Sequence, residues 1–68
     1  MLLIFDHSVY YAYGNIYYRR RQYELAIRSY EDSLKLCQFT KPIHPIVIAI
    51  YYSLGCVAFD MNLRDVAK

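Results

Sequence analysis

The sequence predicts an all-α fold of antiparallel helix–turn–helix repeats, about one and a half of them in series, and three observations predict it. Apolar residues recur at three- and four-residue steps on both sides of a polar break at residues 19–22, the period of helices with one buried face. The only prolines, Pro42 and Pro45, stand together, and proline ends the helix before it while presetting the first turn of the next. Laying Gly14 on Gly55, an offset of 41 residues, brings Tyr10 onto Tyr51, Tyr17 onto Ala58 and Ala26 onto Ala67. A period near forty marks a stack of helix pairs.

Each element follows in order. Residues 6 to about 18 and 23 to about 37 read as two helices, and a loop of about four residues forces them into an antiparallel hairpin. The second is one-faced: Leu25, Ala26, Ser29, Tyr30, Ser33, Leu34 and Cys37 share a side, with Arg28, Glu31, Asp32 and Lys35 opposite. Glu24–Arg28 and Glu31–Lys35 are spaced for i,i+4 pairs on its solvated face. A third helix is expected from residue 45 to about 59, a turn near Asn62, and the first turn of a fourth helix over 64–68. The organisation expected is one repeat over about 3–39, a linker at 40–44 and a truncated second repeat over 45–68.

Composition bounds the function. The chain has 68 residues, and one so short buries only about 60% of its unfolded surface, so neighbours or self-association are needed for stability. It is 57% hydrophobic and 21% charged, too apolar for a disordered tail. The net charge is +2, with one basic cluster at Arg19-Arg20-Arg21, too little for a nucleic-acid or membrane footprint. Those arginines close the first helix, where its dipole favours cations.

Cys37 and Cys56, without a CxxC, read as apolar helix residues in a reducing, cytoplasmic setting. The opening residues 1–5 lack the basic flank and length of a targeting signal. Residues 42–59 carry no charge, but become helix-compatible only near Pro45, which leaves a stretch expected to be too short to cross a bilayer. His7, His44 and the cysteines form no metal-ligand spacing, phosphate loop or nucleophile motif, so neither catalysis, nor a metal, nor a cofactor is expected.

The first unit reads Tyr10-x-x-Tyr13-Gly14-x-x-Tyr17, then Tyr23-x-x-Ala26-x-x-x-Tyr30, which resembles the tetratricopeptide repeat pattern W-x-x-L-G-x-x-Y…A-x-x-x-F. The second unit is similar at Tyr51, Leu54, Gly55, Ala58 and Ala67. Gly14 and Gly55 would let paired helices approach, Ala26 and Ala67 would fill the facing positions, and rings at Tyr17 and Tyr30 would fill the gaps. The offset of 41 and His44-Pro45 before the third helix resemble the longer repeats of kinesin light chains. Arg21 stands where the family has a turn glycine, so the first turn is expected to be less regular.

The resemblance implies an α-solenoid scaffold for protein binding, in which the first helix of each pair lines a concave face. It places Tyr11, Asn15, Tyr18 and Arg19 there, with Ser8, and in the second unit Tyr52, Cys56 and Phe59, with Ala49 and Asp60. Tyr11, Tyr18, Tyr52 and Phe59 would form an aromatic strip for a peptide or helix. Asn15 would bond its backbone and Arg19 an acidic group. The expected partner is a protein or peptide, not nucleic acid or membrane, with self-association through unpaired repeat ends as a further route. The alternative is an interior segment of a longer solenoid signalling protein with no ligand contact of its own.

Overall fold

The computed structural model describes residues 7–37 and 45–66, and for His7 only the backbone. The expected linker at 40–44, the expected start of repeat one before His7, and Ala67 lie outside the described residues. Three helices follow one another: α1 over His7–Arg19, α2 over Tyr23–Cys37 and α3 over Ile46–Val66. α2 packs chiefly on α1 and less extensively on α3, while α1 and α3 meet at few residues. This is the expected all-α architecture of antiparallel helix–turn–helix type.

The α1–α2 turn is more regular than expected. Arg21 takes a left-handed backbone, φ 62°. Gln22 N–H donates to Tyr17 C=O at 2.9 Å and Arg21 N–H to Tyr18 C=O at 3.0 Å, the paired bonds that close a helix through a left-handed residue. Arginine therefore occupies the glycine geometry at a cost of about 1 kcal/mol in backbone strain, offset by capping two otherwise orphaned carbonyls. The Gln22 carbonyl then accepts from Ala26 N–H at 3.0 Å and opens α2.

Gly14 is where the hairpin closes. A Cβ there would lie 2.5 Å from Cε1 and 2.6 Å from Cδ1 of Tyr30, so the Tyr30 ring fills the space a side chain would need. The core is made of Tyr23, Ala26, Tyr30 and Cys37 from α2 with Ile50 and Val57 from α3, and Tyr11, Tyr17, Leu34, Leu54 and Met61 pack around it. Ser29 and Ser33 are buried on the same face of α2, small residues that let the neighbouring helices come close.

α3 corrects the second half of the sequence reading. It runs unbroken for 21 residues, so the turn near Asn62 and a separate helix from Arg64 do not form. Asn62 is helical and exposed. A turn there would have to be held by a returning helix packed on α3, as α2 holds the turn after α1. With no such helix among the described residues, continuing the i→i−4 ladder through residues 60–66 satisfies more backbone groups than breaking it. Gly55 differs from Gly14 in the same way: among the described residues nothing lies within 4 Å of a Cβ built on it. Tyr51, Gly55 and Ala58, equivalent by the 41-residue offset to Tyr10, Gly14 and Tyr17, are all exposed.

Candidate partner-binding surface

α3 has two apolar faces. Ile50, Leu54, Val57 and Met61 turn towards the core, whereas Ile48, Tyr51, Tyr52, Phe59, Leu63 and Val66 remain exposed on the other side. A helix apolar all round is normally covered all round. Tyr51, Tyr52, Gly55, Cys56 and Phe59 meet Tyr18 and Asp60 at a shallow, mostly apolar groove of about 390 Å³.

Tyr18 anchors that groove to α1. Its hydroxyl donates to Asp60 Oδ2 at 2.6 Å, and its ring packs on Tyr23 at a centroid distance of 6.0 Å. Hydrogen bonding to the carboxylate, with some burial and the adjacent negative charge, pushes the Tyr18 pKa up to about 12. The phenol thus stays protonated and keeps donating across the neutral range.

A second depression of about 550 Å³ adjoins the first through Tyr18 and Asp60 and is lined further by Arg19, Arg21, Tyr23, Leu63 and Arg64. Arg64 lies 5.6 Å from the Tyr23 ring centroid and reaches Glu24 at 3.3 Å and Asp65 at 3.5 Å. A hydrogen bond to its own backbone and one from Arg64 hold the Glu24 carboxyl below its ordinary range. The pair fastens the last turns of α3 to the first turn of α2.

The residues expected on one concave strip fall into two groups. Tyr11 packs against the Tyr30 ring at 5.7 Å, and Asn15 accepts a hydrogen bond from the Tyr30 hydroxyl, which Ser53 of α3 also bonds. Burial pushes the Tyr30 phenol up despite the Ser53 bond. Tyr11 and Asn15 are therefore engaged inside the three-helix junction. Tyr18, Tyr52, Cys56 and Phe59 line the apolar groove, and Arg19 stands at the rim of the basic one. The sequence pattern missed Leu63 and Arg64 as surface residues because the turn expected at Asn62 hid the continuation of α3's outer face, and Tyr51 because the 41-residue offset laid it on Tyr10 of the packed repeat pattern. Among the described residues no group of three or more His, Cys, Asp or Glu side chains converges.

The helix is also longer than expected for the membrane question. α3 is long and apolar enough, by length and composition, to cross a bilayer, so the expectation of too short a stretch is corrected. Its last third carries Asp60, Arg64 and Asp65. Crossing would require breaking the Tyr18–Asp60 and Arg64–Glu24 contacts and stripping water from those charges.

Residues 7–38 match the family model for the tetratricopeptide repeat, the span of α1, the turn and α2. The match is to the general repeat and lends no support to the long-repeat sub-type. No curated protein and no solved structure gives a significant match. Tetratricopeptide repeats are non-enzymatic modules that generally mediate contacts between proteins.

Proposed function

We propose that the chain is a protein-interaction module that holds an apolar helix or peptide of a partner against the outer face of α3 and the groove beside Tyr18. The observation carrying this reading is the second apolar face of α3, whose large side chains have no covering among the described residues. Large exposed rings around a glycine give contact area and close approach at once. Tyr18, Tyr52, Cys56 and Phe59 are the contact residues, and Arg19 at the rim suits an acidic group. Tyr11 and Asn15 support the surface from beneath. Among the described residues neither Cys37 nor Cys56 forms a disulfide, which fits a reducing cytoplasmic setting. The long-repeat sub-type rests only on the 41-residue offset and His44-Pro45.

A second reading has its own observation. The face at Tyr51, Gly55 and Ala58 repeats the face of α1 that α2 covers, so a helix of an adjoining repeat fits it and the segment would be purely structural. Panning a library of helical peptides against the chain separates the two. Contact through the α3 face requires that Tyr52→Ala and Phe59→Ala abolish capture, while Leu25→Ala, at an exposed apolar site on α2, leaves it intact. Capture that survives both α3 substitutions contradicts the reading.

A further inference from the structure

We propose that the partner seated on α3 is a second copy of the chain, its α3 antiparallel to the first. This rests on the protein-binding reading above and names its partner. Ile48, Tyr52, Gly55, Phe59, Asn62 and Val66 are all exposed on α3, and they follow one another at steps of four, three, four, three and four residues. That alternation is the seam of a two-stranded coiled coil, with knobs set into holes.

The seam is self-complementary in one direction only. Run antiparallel about Val57, Ile48 meets the partner copy's Val66, Tyr52 meets Asn62, and Gly55 meets Phe59. Each ring enters the gap left by the other copy's glycine, where nothing stands within 4 Å of a would-be Cβ. The chain already uses this fit internally, with Tyr30 against Gly14. The Tyr52 hydroxyl meets the Asn62 amide, so the polar layer is satisfied. A parallel pair would set glycine on glycine and Phe59 on Phe59, a void beside a crowded layer.

The area is sufficient. Tyr52, Phe59 and Tyr51 are 75%, 63% and 62% exposed, and at roughly 200 Å² per ring they offer about 400 Å². Ile48, Leu63 and Val66, at 74%, 54% and 82% exposure, bring each copy to roughly 700 Å², close to the ~800 Å² per partner of a stable interface. An isologous contact of this kind closes at two copies.

Sedimentation equilibrium on the 68-residue chain tests the proposal, together with Gly55→Glu. That substitution enters open space and leaves the monomer's helices intact by circular dichroism, yet blocks the Phe59 ring. The expected result is a mass that doubles with concentration in the parent and a dimer at least about tenfold weaker in the variant. Orientation is read by mixing Tyr52→Cys and Asn62→Cys chains, both with Cys37 and Cys56 replaced by Ala: the antiparallel seam gives mixed disulfides in excess of either homodimer.

A monomer at every concentration, a dimer indifferent to Gly55→Glu, or an excess of homodimeric disulfides overturns the proposal. If the chain stays monomeric but captures a helical peptide through Phe59, the second copy falls and the protein-binding reading stands. If it does neither and floats with phosphatidylcholine vesicles, both fall.

Discussion

The ring of Tyr30 occupies the space that a side chain at position 14 would need: a Cβ on Gly14 would stand 2.5 Å from its Cε1. Tyr30 is fully buried, so the ring has nowhere to retreat. Gly55, at the equivalent place in the second unit, faces open space. Gly14→Ala is therefore expected to destabilise the chain by about 1–3 kcal/mol through overpacking. Gly55→Ala is expected to stabilise the monomer by roughly 0.5–1 kcal/mol through helix propensity. Urea titration of the two variants under dilute conditions reads both signs.

The turn gives a prediction opposite to the usual effect of glycine. Arg21 sits at φ 62°, a conformation that a side chain disfavours and glycine accepts. Arg21→Gly is expected to raise stability by about 0.5–1 kcal/mol, seen as a later thermal midpoint. A lower midpoint would show that the Arg21 side chain contributes more than its backbone costs.

Tyr18 should make the α1–α3 contact sensitive to alkali. With its pKa raised from 10.0 to about 12, the folded chain keeps the phenolic proton where the unfolded chain loses it. The stabilisation is complete below pH 10 and fades as the pH climbs from 10 to 12. Tyrosinate absorbance should show a late-titrating component that disappears in Tyr18→Phe. In Asp60→Asn it should return towards the ordinary range.

The two thiols should react in order. Cys56 is half-exposed in the groove and Cys37 is buried, with burial pushing the Cys37 thiol up. Under dilute native conditions an alkylating reagent should modify Cys56 first and Cys37 slower by about a hundredfold or more, since Cys37 must await local opening. Mass spectrometry of the singly modified chain identifies the site.

These contrasts also show what could be read from the residues alone. The period of apolar positions placed α2 at its observed bounds and α1 within one residue at each end. The small residues Gly14 and Ala26 announced the close hairpin because both halves of that contact lie in the chain. Carrying the same pattern 41 residues onward failed at Gly55, Ala58 and Asn62, since a glycine's packing and a turn's position depend on the helix that covers them.

The surface divided for a similar reason. Tyr11, Asn15 and Tyr18 have the exposed-face register of α1, but Tyr30 and Asp60 offer them hydrogen-bonding or ring partners across the junction. Register along one helix does not show what a neighbouring helix brings. Tyr52 and Phe59 remain open because no such neighbour faces them among the described residues.

The most direct measurement is the thermal melt of the chain, followed by circular dichroism at two concentrations about twentyfold apart, alone and with a captured helical peptide added. If the outer face of α3 exists to be covered by protein, the midpoint rises with concentration or with peptide, and peptide at twentyfold excess over its dissociation constant adds about 1.8 kcal/mol of stability. A cooperative melt whose midpoint ignores both would contradict a docking surface on α3.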